Sequence, residues 1–186
     1  ACQTGGQVSV IDADEALEIS DVPVLMYHYV RDVDKRRDSL GWNLSVGPEL
    51  FEEHLRELVD RGYKSVKVSD LIDGKAAEGS VVLSFDDGTL DFYTNAWPLL
   101  KQYGFSASIA VVSDFIGNDG YMNREQIEEL VFDGVEILGH SASHKNLRNV
   151  ANLGGEILES KENLENWFGV SIVGFVYPSG KYDSRV

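Results

Sequence analysis

Short apolar runs alternate with helix-patterned stretches along most of this chain, and no other feature narrows its fold as much. Residues 22–30, 64–68, 81–85, 106–112, 135–138 and 172–177 are brief, rich in strand formers, and read as strands. Between them, apolar residues recur at helical spacing. Leu50, Phe51, Leu55 and Leu58 form one such face, with Pro48 at the first helical position and Gly62 as its stop. Ser69 is placed to cap a short helix carrying Leu71 and Ile72. A helix is expected over 92–103, bent at Pro98 and closed by Gly104. Asn123 caps another over 124–132, with Ile127 and Leu130 inward. The last covers 152–168, with Ile157, Leu158 and Leu164 inward and Gly169 ending it. Alternation of this kind builds parallel βαβ units with right-handed crossovers. The fold class is therefore α/β. In a barrel of this class the strand C-terminal ends share one face, and sites form there.

At 186 residues and 43% hydrophobic content, the chain suits one domain with a full core. Residues 22–186 carry the alternating pattern, whereas 1–21 are polar and aperiodic and read as a flexible tether. The charged stretch 31–38 reads as a solvated loop. No run approaches the roughly 20 apolar residues of a membrane-spanning helix. A formal charge of −15 argues against a nucleic-acid partner, which needs a basic face. The single cysteine, Cys2, excludes an internal disulfide. Followed by Gln3-Thr4-Gly5-Gly6, it resembles the start of a bacterial lipoprotein. That resemblance implies an extracytoplasmic bacterial protein, secreted or lipid-anchored at the cell envelope, with membrane attachment only through a lipidated Cys2.

The chemistry-bearing residues fall at strand ends. Strand 81–85 runs into Asp86-Asp87-Gly88, and strand 135–138 into Gly139-His140-Ser141-Ala142-Ser143-His144. Strand 172–177 runs into Pro178-Ser179-Gly180, and His28 lies near the end of strand 22–30. Taken singly, Asp-Asp-Gly is a common turn and His-x-x-x-His a common solvated helix face. Together they are the parts of a metal-dependent hydrolase. An i, i+4 spacing puts both imidazoles on one face of a helical turn, where they converge on one cation. One carboxylate from another strand end completes the set and leaves a coordination position open, as catalytic metals need. A second carboxylate that does not ligate can take a proton. Successive side chains at a strand end diverge, which lets adjacent aspartates divide these tasks.

These three segments resemble the first three motifs of the polysaccharide deacetylases of the NodB-homology type, carbohydrate esterase family 4. The resemblance covers most of the chain from about residue 22. The opening Pro23-Val24-Leu25-Met26-Tyr27-His28-Tyr29-Val30 is similar to the start of that family's biofilm branch, the poly-β-1,6-N-acetylglucosamine N-deacetylases. The resemblance implies a distorted (β/α)7 barrel, here incomplete at its C-terminal end. It implies hydrolysis of N-acetyl groups on an N-acetylglucosamine polymer, releasing acetate and a free amine. In that scheme Asp86 is the general base, and Asp87, His140 and His144 hold a divalent metal. The metal is usually zinc, with cobalt, nickel or iron serving some members. The backbone N–H near Ser179 helps stabilise the oxyanion.

Two departures from the family pattern stand out. Val176 occupies a place where many members carry an arginine, and the fourth and fifth motifs have no counterpart before Val186. The usual general-acid histidine is therefore missing from its place, and His28 is the candidate replacement. Tyr182 and Trp42 are candidates for a sugar-stacking platform. His54, among Glu52, Glu53 and Arg56, reads as solvated.

Other functions fit less of the pattern. A non-catalytic carbohydrate-binding relative would match Val176 and the missing motifs, but it has no need of two aspartates and two histidines. A deacetylase of peptidoglycan- or chitin-type glycan shares the same site and remains open. Non-haem iron oxygenases use two histidines and a carboxylate, but by fold analogy they favour all-β scaffolds. A glycosidase needs carboxylates that straddle a bond and no histidine pair.

Overall fold

The computed structural model of the protein describes residues 22–186. The expected tether and Cys2 lie outside the described residues. In chain order the elements are β1 (Val24–Tyr27), β2 (Tyr29–Val30), α1 (Ser39–Leu44), β3 (Ser45–Val46), α2 (Pro48–Asp60), β4 (Lys64–Val66) and α3 (Val68–Ile72). There follow β5 (Ser80–Phe85), α4 (Trp97–Tyr103), β6 (Ser108–Val111), α5 (Arg124–Phe132), β7 (Glu136–Gly139) and α6 (Ser160–Phe168). Among the described residues no helix is long and apolar enough to cross a membrane.

Every strand pair is parallel. The main sheet runs β1-β5-β6-β7, and β4 pairs with the first half of β5. Every residue of β5 is buried, as expected of a central strand covered on both faces by helices. The register sets Tyr27 opposite Phe85, Phe85 opposite Ile109, and Val111 opposite Gly139, with a parallel bridge from Gly139 to Phe175. The residues that follow, His28, Asp86, His140 and Val176, therefore emerge together at one edge of the sheet.

Below that edge lies an aromatic core. The Phe85 ring stacks on Tyr27 at 5.2 Å and meets Phe51 and Phe92 edge-on at 5.8 and 4.8 Å. Phe51, Leu55 and Leu58 of α2 pack onto this core, with Pro48 in the first turn, as the spacing predicts. Fully burying each such side chain contributes about 1.5–3 kcal/mol. Asn123 caps α5 reciprocally with Gln126, at 2.9 Å in each direction, and Ile127 and Leu130 are buried.

Several boundaries differ from the sequence reading. The run 22–30 is not one strand: the chain bends at His28, so β1 joins the main sheet while β2 pairs with β3. Ser69 is not the cap of α3. The N–H groups of Val68 and Ser69 are taken by the Glu136 carboxylate, at 2.8 and 3.0 Å, across the sheet.

The expected helices over 92–103 and 152–168 both open with a π-type turn, at Phe92–Ala96 and Gly155–Glu159. Pro98 falls in the first turn of α4, directly after the π-type turn at Phe92–Ala96. Leu158 is exposed while Glu156, Ser160 and Leu164 are buried: at about 100° per residue Leu158 lies about 120° from Leu164 and off the inward face. The stretch 172–177 is reduced to the Phe175 bridge, with no strand on its far side among the described residues. The parallel α/β architecture is present as expected. Within the described residues the sheet does not close on itself, and Val24 and Met26 of β1 stay exposed.

Candidate active site

The sheet edge opens into a cleft of about 710 Å³. Asp86, Asp87, His140, His144, His28, Ser179 and Tyr182 all line it. Asp87 Oδ1 lies 3.3 Å from His140 Nε2 and 3.4 Å from His144 Nε2. One ligand atom from each of these three residues falls within 4.8 Å of the other two.

The histidine pair converges, but not on a helical turn. Residues 140–144 form a loop in which Ser141 and His144 take left-handed backbone angles, at φ 64° and 55°. Ser141 Oγ accepts the His144 N–H at 2.9 Å and tightens the loop. The two aspartates likewise face different partners, His28 for Asp86 and the histidine pair for Asp87, by a device other than strand alternation. β5 ends at Phe85, and Asp87 turns left-handed at φ 73°, sending its carboxylate away from that of Asp86. Gly88 follows, also left-handed, and a Cβ there would touch the Val111 side chain at 3.5 Å. The four non-glycine residues with positive φ among the described residues are Asp87, Ser141, His144 and Ser179. All four belong to this site, where backbone strain commonly concentrates.

The donor set fits a divalent cation. His140 Nδ1 lies 2.8 Å from the Val176 carbonyl, an acceptor only, so this nitrogen donates its proton. The lone pair is thereby fixed on Nε2, which faces Asp87. Asp87 Oδ1 is buried, lies beside two ring nitrogens, and has no hydrogen-bond partner. A buried carboxylate oxygen without a partner is costly, and a cation shared with both imidazoles satisfies it. Burial works to raise the Asp87 pKa, but the imidazoles of His140 and His144 outweigh it and hold the carboxyl below its ordinary range. Burial likewise opposes protonation of His140, yet Asp87, the Val176 carbonyl and Asp86 raise it. Burial holds His144 low. A metal competes with the proton for these nitrogens.

Asp86 stands apart from the three. Its Oδ1 is buried and unpaired, and its Oδ2 lies 3.8 Å from His28 Nε2. Burial pushes its carboxyl above the usual range, against the pull of His140 and His28. That strengthens it as a proton acceptor. Ser179 sits in the Pro178–Gly180 turn at φ 57°. The bonds of that turn run from Gly180 N–H to Tyr177 and from Lys181 N–H to Pro178. Tyr182 stacks on Tyr177 at 5.1 Å and forms an exposed aromatic wall of the cleft.

Two aromatic side chains sit elsewhere than the sequence suggests. Trp42 does not line this cleft; α1 carries it into a separate depression beside Asp32, Asp34 and Glu49. His54 is not free in solvent but half-buried, its Nδ1 3.3 Å from the Tyr27 hydroxyl. Tyr29, Tyr121, Phe115, Leu40 and Leu44 also line the cleft and carried no signal, because each reads as an ordinary packing residue. The role of the Val176 carbonyl was equally invisible, since a backbone acceptor has no residue signature.

A parallel α/β sheet whose strand ends gather two imidazoles and a shared carboxylate, with a second carboxylate beside them, defines a class of sites able to hold a divalent cation next to a spare acid–base group. Residues 73–186 match the family model described as polysaccharide deacetylase, so the chain belongs to the polysaccharide deacetylase family. It is 32% identical over 171 residues to YxkH of Bacillus subtilis (strain 168), a protein named for the polysaccharide deacetylases. That match covers 88% of this chain and 58% of the relative. It is 27% identical over 128 residues to the poly-β-1,6-N-acetyl-D-glucosamine N-deacetylase of Staphylococcus epidermidis, covering 60% of this chain and 44% of the relative. The chain thus spans about half the length of these curated relatives. The solved Streptococcus pyogenes deacetylase PplD in complex with acetate superposes with a TM-score of 0.80 at 28% identity, covering 88% of this chain and 76% of that one.

Proposed function

We propose that this chain is a metal-dependent N-deacetylase acting on an N-acetylglucosamine polymer, poly-β-1,6-N-acetylglucosamine being the first choice. The observation that carries the reading is Asp87 Oδ1, buried between His140 and His144 with the unligated Asp86 beside it. The staphylococcal relatives named for poly-β-1,6-N-acetyl-D-glucosamine support the choice of polymer. The acetate in the solved streptococcal relative agrees with the expected product.

Asp87, His140 and His144 would hold the metal. When bound, a divalent ion of the zinc type supplies Lewis acidity that polarises the acetyl carbonyl and acidifies water. Asp86 takes the proton from the attacking water. A C–O bond forms at the acetyl carbon, and the Ser179 N–H donates to the developing oxyanion. His28, 3.8 Å from Asp86, delivers a proton to the departing nitrogen as the C–N bond breaks. The products are acetate and a free amine. Tyr182 and Tyr177 offer ring faces to the sugar. In this reading the protein works outside the cytoplasm, tethered through Cys2.

Free-amine release tests the proposal, using chelator-stripped protein with and without zinc or cobalt. Oligomers of β-1,6-linked N-acetylglucosamine are compared with β-1,4-linked chitin oligomers and peptidoglycan fragments. Metal-restored release from the β-1,6 oligomers alone is expected. Release from the β-1,4 substrates alone would move the chain to the chitin or peptidoglycan type. No release from any, with sugar still binding, would favour a carbohydrate-binding role.

A further inference from the structure

Glu156 takes no part in the proposed chemistry, yet it is nine-tenths buried. It lies in the π-type turn Gly155–Glu159 and is the buried residue of that turn. Such turns are frequent beside functional sites. All its contacts across the site go to one place. Its Oε2 accepts the Ser143 N–H at 2.9 Å, and its Oε1 accepts the Ser143 hydroxyl at 2.6 Å. Its own carbonyl accepts the Ala142 N–H at 2.9 Å. Lys145 Nζ, at 3.9 Å from Oε1, adds a partly exposed cation.

Ala142 and Ser143 are the middle of the segment joining His140 to His144. That segment holds two left-handed residues, Ser141 and His144. Each such conformation costs roughly 1–3 kcal/mol and persists only where the surroundings enforce it. On its other side the segment is held by Ser113 N–H to the Ser141 carbonyl at 3.2 Å and Asp114 N–H to the Ala142 carbonyl at 3.0 Å. Those bonds join backbone to backbone between neutral groups. Glu156 adds two side-chain bonds, both to Ser143, which grip the segment from the opposite side.

We propose that Glu156 is a positioning residue for the metal site. It fixes Ala142 and Ser143 so that the strained loop presents His144 to Asp87 Oδ1 opposite His140. The inference rests on the metal-site reading made under the proposed function.

The test measures Zn²⁺ affinity of the metal-free full chain by calorimetry and the visible spectrum of its Co²⁺ form. It compares wild type, Glu156→Ala, Glu156→Gln and Ser143→Ala, and checks folding by circular dichroism and thermal melting. Glu156→Ala should weaken Zn²⁺ binding by about 10- to 100-fold, the usual loss on removing a group that orients metal ligands. It should also alter the Co²⁺ spectrum. Glu156→Gln, whose amide oxygen still accepts one bond, should recover part of the affinity. Ser143→Ala combined with Glu156→Gln should cost less than the two losses summed, because they break the same bond. If Glu156→Ala fails to fold, the Gln and Ser143 variants decide. A lowered melting temperature with Zn²⁺ affinity and Co²⁺ spectrum unchanged would make Glu156 merely structural and overturn the positioning role. A wild-type chain that binds neither ion would overturn the metal reading itself.

Discussion

His28 occupies the bend that ends β1, next to Asp86 but outside the three-residue cluster. A proton donor in that place affects turnover without holding the metal. His28→Ala should therefore lower kcat by about 10²–10⁴-fold, the usual worth of an acid–base group. Bound metal, measured by elemental analysis, should stay at the wild-type ratio; unchanged turnover would remove His28 from the mechanism. At this scale the sequence was most legible where side-chain identity is the chemistry: Asp86, Asp87, His140 and His144 stand out because few other tasks need that set. It was least legible where the backbone acts. The Val176 carbonyl that fixes the His140 tautomer has no signature in residue type, and Asp-Asp-Gly announces a turn without showing that Asp87 itself goes left-handed. Glu156 was hidden for another reason, since a glutamate in a helical run ordinarily faces water. Trp42 borders a different depression, a placement that an exposed aromatic does not announce in sequence.

The elements show the same division between local and long-range causes. Local signals placed Pro48, Asn123 and Gly104 correctly, because a cap or stop depends on neighbours within a turn. The cap of α3 is only partly local: Asp70 accepts the Lys67 N–H at 3.2 Å, but the Val68 and Ser69 N–H groups go to Glu136 on β7. The π-type turn at Gly155–Glu159 was likewise invisible to a period of 3.6, whereas Leu158 is exposed because that same period sets it about 120° from Leu164. This correction has a stability consequence. Leu164→Ala, which empties a fully buried position, should cost about 2–5 kcal/mol. Leu158→Ala should change stability by less than about 0.5 kcal/mol. Urea unfolding of both variants checks the pair, and equal losses would return Leu158 to the core.

Over the whole molecule, one topological fact makes the site. Parallel strands in register bring His28, Asp86, His140 and Val176 to a common edge although 148 positions separate the first from the last (176 minus 28). The alternation of strands and helices made that convergence legible in advance. It could not show that the sheet stays open among the described residues, because closure depends on pairing partners and not on pattern. The claim that ties fold to function is the division of labour between the adjacent aspartates. The most direct test pairs metal content with amine release for Asp86→Asn and Asp87→Asn, both compared with wild type. Asp86→Asn should keep its metal and lose turnover, while Asp87→Asn should lose both. Metal lost with Asp86→Asn but retained with Asp87→Asn would contradict the account and exchange the two roles.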